Sequence, residues 1–248
     1  MRRRFFVERF EGSRAVLTGE VGHHLGRVLR AEPGQQYELS DGNSVWLGRV
    51  ERVGRDTVEF ALVEQVPARI PQVHIVLLLA VVKFDRFEWS LEKATEIGVA
   101  EIVPLAAARS ERGLLSAAPK RAARWGKILL ESAQQARCLR PPVLRSLCDP
   151  EVAFSAVGAR HPSASLKTGA VPILLSERPS APAIKAVLQG GEAKSVVLAI
   201  GPEGGWTDEE LTAAQAAGFR EASLGPQILR TETAVTAALA IINYALGD

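Results

Sequence analysis

The chain has 248 residues, a formal net charge of +2, 47% hydrophobic residues and 23% charged residues. That is an ordinary globular composition, enough for one large domain or a small domain plus a medium one. No apolar run approaches the roughly 18–20 residues of a membrane span, and so small a net charge does not by itself mark a nucleic-acid binder.

The start, Met1-Arg2-Arg3-Arg4-Phe5-Phe6-Val7, is basic and then apolar, but Glu8, Arg9 and Glu11 interrupt it too early for a signal peptide. Charge is unevenly spread. Across residues 1–30, seven arginines face three glutamates, a surplus of +4 that points to an acidic partner. Residues 1–68 read as β-rich. Tyr37–Ser40 and Val45–Gly48 flank Asp41-Gly42-Asn43, a hairpin signal. Thr57–Val63 alternates like a half-buried strand. A helix over about 20–30 has Val21, Leu25, Val28 and Leu29 as its apolar side, with His23, Arg27 and Arg30 at i, i+4 and i+7 on another face. The expectation is a small barrel carrying a basic helix.

Pro67 and Pro71 bracket a linker, and strands then alternate with helices. Val73–Leu79 is a buried strand, 84–97 a helix ending at Gly98, and Glu101–Leu105 a short strand. A long helix is expected over about 120–137 and an exposed loop over 155–170, followed by strands at Val171–Leu175, Val196–Ile200 and Ala222–Leu224. The last helix, Thr231 to Leu246, is apolar nearly all round, as expected of one buried against the core or a second subunit. The pattern is that of an α/β domain with a mostly parallel sheet, spanning 72–248. Cys138 and Cys148 have neither metal nor redox spacing and read as reduced thiols of a cytoplasmic protein. No His, Cys, Asp or Glu cluster has metal spacing.

Gly201-Pro202-Glu203-Gly204-Gly205 is the most informative stretch. It ends a buried strand and opens a helix whose Thr207 and Glu210 fit a capping box. Gly-Pro and Gly-Gly also punctuate ordinary turns, and the spacing fits neither the P-loop nor the dinucleotide fingerprint. Two companions matter: Leu174-Leu175 runs into Ser176-Glu177-Arg178-Pro179, and Leu224 runs into Gly225–Thr233. In a parallel sheet the carboxyl ends of strands share one edge. Three such loops would form one backbone-built pocket with apolar walls, suited to a nucleoside-like ligand.

Taken together, several blocks resemble the SPOUT-class methyltransferases that modify N3 of a uridine in 16S ribosomal RNA (the RsmE type). They are Arg4–Val7; His23-His24-Leu25 through Val28-Leu29-Arg30; Lys83 with Glu88, Lys93, Thr95-Glu96 and Gly98; Arg109–Arg112; Glu131–Gln135 with Arg137; Gly201–Gly205 with Glu210; and Leu224-Gly225, Ile228-Leu229-Arg230 and Glu232-Thr233-Ala234. Leu139 departs from the pattern, since Asn or Arg is commoner there. The resemblance implies a PUA-like barrel, a catalytic domain with a trefoil knot, a homodimer and S-adenosylmethionine (SAM) bound in the knot without a metal. Carried over, the SAM-binding residues are Leu175, Glu177, Gly201, Pro202, Glu203, Gly204, Gly205, Leu224, Gly225, Ile228, Leu229 and Thr233. Arg230 is then the cation that stabilises charge on the uracil. Glu232 either orients it or accepts the proton. His23, Arg27 and Arg30 are expected to grip RNA phosphates, with Lys83 and Arg109 as weaker candidates. An Arg230–Glu232 salt bridge that merely orders the knot is the competing role. Rival functions are a non-catalytic ribosome-assembly dimer and a methyltransferase acting on another RNA.

Overall fold

A computed structural model describes residues 3–158, 169–189 and 193–247. The chain forms two compact units, one of residues 1–70 with 133–141 and one of residues 71–132 with 142–248.

The first unit is built on five strands: β1 (Arg4–Phe6), β2 (Arg14–Thr18), β3 (Gln36–Ser40), β4 (Val45–Val53) and β5 (Thr57–Val66). They lie in the order β1-β3-β4-β5-β2, with β1 parallel to β3 and the other pairs antiparallel. Inward-facing Phe5, Leu17, Leu39, Val58 and Phe60 fill the core, the alternation that period-2 patterning demands. Gly48 leaves room for this packing: a Cβ there would lie 2.5 Å from Leu39 Cδ1 and force that side chain to shift. The hairpin turn forms where expected, Asp41 Oδ1 accepting from the backbone N–H of Asn43 at 2.9 Å and of Ser44 at 2.8 Å.

The helical segment differs from expectation. α1 (Gly19–His23) widens into a π-helical turn over His24–Val28. The wider turn changes the rotation per residue, so the expected apolar side is lost. Leu25 is fully buried, but Val28 and Leu29 are 59% and 40% exposed. His23, Arg27 and Arg30 all remain exposed, Arg30 in the left-handed region at φ 51°.

Residues 133–141 belong to this unit because its polar groups are answered there. Arg4 Nη1 donates to the carbonyls of Arg137 (2.6 Å) and Cys138 (3.1 Å), and Ser40 Oγ donates to that of Leu139 (2.6 Å).

The second unit carries a six-stranded sheet. Its elements are β6 (His74–Ala80), α2 (Phe84–Glu96), β7 (Glu101–Leu105), α3 (Arg112–Ala136, whose last turn lies in the first unit), β8 (Val143–Leu144) and α4 (Pro150–Gly158). β9 (Val171–Leu175), α5 (Ile184–Leu188), β10 (Ser195–Ile200), α6 (Asp208–Ala216), β11 (Arg220–Ala222) and α7 (Thr231–Leu246) follow. The strand order is β11-β9-β10-β6-β7-β8 and every pair is parallel. Both faces of the sheet are covered, as an all-parallel sheet requires. On β6, Ile75, Leu77 and Leu79 pack with Phe87 and Leu91 on one side, and Val76, Leu78 and Ala80 pack with Phe154, Trp206 and Leu211 on the other.

α3 starts at Arg112, well before the expected 120, and carries Pro119 inside it. β11 ends two residues earlier than its expected core, Ala222–Leu224. The expected loop over 155–170 begins as the last turn of α4, and its remainder, 159–168, lies outside the described residues. Among the described residues no helix is long and apolar enough to cross a membrane.

Candidate functional site

β11, β9 and β10 are neighbours, so their carboxyl ends sit side by side on one sheet edge. The segments that follow them enclose a cavity of about 440 Å³, within the range of small-molecule sites. Its walls include Leu175–Pro179 after β9, Ile200–Pro202 and Gly204–Trp206 after β10, and Ser223–Gly225, Gln227 and Leu229 after β11. Thr231 and Ala234 of α7 and Arg109 of the β7–α3 loop complete it.

Each wall is fixed by local chemistry. The Trp206 indole N–H donates to the Leu175 carbonyl at 2.9 Å, joining the β9 and β10 loops. Its ring lies against Gly201, where a Cβ would stand 3.0 Å from it, so a larger residue would have to push the indole aside. Gly205 takes φ 69° and donates to the Pro202 carbonyl at 2.9 Å, closing the turn. The capping box forms: Thr207 Oγ1 accepts from Glu210 N (3.2 Å) and Glu210 Oε2 from Thr207 N (2.8 Å). Glu210 is buried, and its other oxygen accepts from Ala108 N at 2.9 Å, which draws the β7–α3 loop to the start of α6. Arg109 of that loop donates to the Gly204 carbonyl at 2.7 Å. Ser176 N donates to the Ala222 carbonyl at 2.9 Å, tying the β9 loop to β11. The backbone N–H groups of Gly204, Leu224 and Leu229 have no acceptor among the described residues, so these donors can serve a ligand or water. Charged side chains of both signs line the cavity, Arg109 and Arg178 against Glu177 and Asp208. Hydrogen bonds from its own backbone and from Thr207, with Arg109 nearby, hold the carboxyl of the adjacent Glu209 below its ordinary pKa.

Of the residues expected to hold a ligand, Leu175, Glu177, Gly201, Pro202, Gly204, Gly205, Leu224, Gly225 and Leu229 line the cavity. Glu203, Ile228 and Thr233 do not, and Ile228 is 78% exposed. Arg230 is exposed and caps the N-terminus of α7, flanked by the lining residues Leu229 and Thr231. Its guanidinium has no ion-pair partner among the described residues. Glu232 is turned to a different cation: Arg86 Nε lies 3.8 Å from its Oε1, and Arg86 also pairs with Glu203. Arg109, expected only at RNA, is a wall of the cavity. Lys83 is exposed at the N-cap of α2, and Lys93 pairs with Glu92 (2.7 Å) and Glu96 (3.0 Å) on the helix surface. Sequence reasoning missed Trp206, Arg178 and Arg86. The first two stood beside motifs already singled out; Arg86 carried no local signal.

A family model of the RNA methyltransferase domain matches residues 69–243, and one of the RNA methyltransferase PUA domain matches residues 17–63. The ribosomal RNA small subunit methyltransferase E of Synechocystis is 34% identical over 236 residues, 93% of this chain and 73% of the relative. That of Mycobacterium tuberculosis is 32% identical over 241 residues, 94% and 87% of the two chains. Among solved structures, the Neisseria gonorrhoeae ribosomal RNA small subunit methyltransferase E bound to S-adenosyl methionine superposes with a TM-score of 0.84 at 25% identity, covering 98% of each chain. A Legionella pneumophila methyltransferase in complex with SAM gives a TM-score of 0.83 at 29% identity, covering 99% of this chain and 98% of that one. The fold is thus shared with these solved structures along almost the whole length, and the chain belongs to the family of ribosomal RNA small subunit methyltransferases E.

Proposed function

We propose that this protein transfers a methyl group from SAM to N3 of a uridine in 16S ribosomal RNA, acting as a cytoplasmic homodimer. Residues 72–248 would be its catalytic domain and residues 1–68 its RNA-binding barrel. The observation that carries the reading is the cavity at the ends of β9, β10 and β11. It is built from the three loops, has the Trp206 ring packed closely against Gly201, and is lined by charges of both signs. That chemistry suits a zwitterionic ligand with a nucleoside moiety, and two solved relatives hold SAM. The free N–H groups of Gly204, Leu224 and Leu229 would bind its polar atoms, while Glu177 and Asp208 would face its positive groups.

SAM supplies an already activated methyl group. The protein has to prepare the acceptor. Uracil N3 becomes nucleophilic when it loses its proton, and the charge then spreads to the two flanking carbonyl oxygens. Arg230, beside the cavity and without an ion-pair partner among the described residues, is the side chain to stabilise that charge. The base must also leave its stack to reach the site. α7 exposes Ile228 just before its start and Tyr244, 90% exposed, near its end, apolar surface that a second copy would cover.

Calorimetry with SAM followed by mapping of methylated nucleosides on small-subunit RNA tests the reading. A saturable SAM site and N3-methyluridine as product are expected. Absence of SAM binding would favour a non-catalytic assembly factor, and a different product would reject N3 as the acceptor. His23, Arg27 and Arg30 are exposed, as phosphate contacts must be. The triple variant H23Q/R27Q/R30Q should bind RNA more weakly and lower the slope of log K against log salt by about 2, given roughly 0.7–0.9 per phosphate contact. An unchanged slope would remove this segment from the interface.

A further inference from the structure

We infer that Arg86 is a positioning residue for methyl transfer, one that locks the first turn of α7 to the glycine loop. The inference rests on the methyltransferase reading above and adds a residue to it. Arg86 lies in the first turn of α2, away from the cavity, with its side chain a quarter exposed. Its guanidinium pairs with Glu203 of the glycine loop, and its Nε stands 3.8 Å from Oε1 of Glu232 in the first turn of α7. Three segments remote in sequence therefore meet at one cation.

Glu232 depends on that cation. Its side chain is 16% exposed, and its Oε2 is buried with no hydrogen-bond partner. Among the described residues Arg86 is the only cation paired with it. A carboxylate buried to this degree keeps its place only while its charge is answered.

The rest of α7 is held by other means. Val235, Ala238, Leu239 and Ile242 are fully buried in the core. At the far end the Asn243 amide donates to the Ile97 carbonyl at the end of α2, 2.8 Å away. Arg86–Glu232 at one end and Asn243–Ile97 at the other thus pin α7 alongside α2. Only the first pin lies in the turn of α7 that borders the cavity. Arg230 is the cap of that first turn, and Thr231, which lines the cavity, makes only a long 3.4 Å hydrogen bond to the Gly201 carbonyl. Loss of Arg86 leaves the buried core of α7 intact. It frees the turn that carries Arg230 relative to the loop that carries Gly201–Gly205, and a displacement of about 1 Å at a reacting centre can lower turnover by about 10²-fold.

The test compares R86Q, R86K and E203Q with the unaltered full-length protein. Turnover is measured at saturating SAM and RNA, SAM affinity by calorimetry, and folding by thermal melting. R86Q should lower kcat by about 10–100-fold, while its SAM dissociation constant and melting midpoint stay near those of the unaltered protein. R86K keeps the charge but loses the planar fork that spans two carboxylates, so its kcat should fall between the two. E203Q, altered at a half-exposed side chain, should give a smaller loss of the same kind. Unchanged kcat in R86Q would overturn the inference, as would a loss matched by an equal loss of SAM affinity or by partial unfolding. Should R86Q fail to fold, R86K and E203Q carry the same comparison. An unaltered protein that neither binds SAM nor methylates RNA would instead reject the underlying methyltransferase reading.

Discussion

Replacement of Arg230 by alanine is expected to abolish methyl transfer while SAM binding stays largely intact. The split follows from where the residue sits. The cavity is lined by residues of the three loops together with Trp206, Asp208 and Arg109, and Arg230 is not among them. Its neighbours on both sides are, which tethers the guanidinium beside the cavity without making it part of the binding surface. The one carboxylate that would have tied it down, Glu232, faces Arg86 instead. A cation beside a ligand cavity with no ion-pair partner among the described residues is available to a charge that appears only during the reaction. Removing one such stabilising donor typically lowers kcat about 10²–10³-fold. Arg230→Lys keeps the charge but not the paired N–H donors, so an intermediate rate is expected. Single-turnover assays on small-subunit RNA, with calorimetry for SAM, measure both halves of the statement. Full activity in Arg230→Ala would end its catalytic assignment, and loss of SAM binding would make it a ligand contact.

How much of this site the sequence revealed depends on how far each interaction reaches along the chain. The glycine loop was legible because an apolar run, five turn-forming residues and a capping box are contiguous, and the structure builds the turn and the cap from those same residues. Convergence of the three loops was legible too, because parallel strands bring their carboxyl ends to one edge. Arg86 was not. In the sequence it reads as one more charge in the first turn of an amphipathic helix, and its partners are a loop residue and a helix residue far downstream. Arg109 was noticed and given only an RNA role, because nothing local indicates that Glu210 draws its loop to the start of α6. Two misreadings were local. The π-helical turn after His23 broke a periodicity that assumed 3.6 residues per turn, and the long helix expected from about 120 begins at Arg112 and runs through Pro119.

Replacement of Arg4 by methionine is expected to destabilise the first unit by about 3 kcal/mol, the lower end of the roughly 3–5 kcal/mol typical when a buried ion pair loses one partner. Arg4 opens β1 directly opposite Glu38 of β3, and the two side chains are 5% and 10% exposed with 2.8 Å between Nη2 and Oε2. Three effects set the size. Glu38 is left buried, a large penalty. Arg137 Nη1, 3.4 Å from its other oxygen, remains to answer part of that charge, which holds the loss down. The carbonyls of Arg137 and Cys138 lose the donor that fastened residues 133–141 to the barrel. At about 2–4 °C per kcal/mol for a chain of this size, the melting midpoint should fall by roughly 6–12 °C. The double variant R4M/E38L separates the contributions. It removes the unpaired carboxylate and should recover part of the loss. It cannot recover all of it, because the two hydrogen bonds from Arg4 to the carbonyls of Arg137 and Cys138 are still lost, at about 1 kcal/mol or more each. Recovery to the original midpoint would mean that the carbonyl contacts contribute nothing. An unaltered midpoint in R4M would mean that the buried pair is no part of what joins residues 133–141 to this unit.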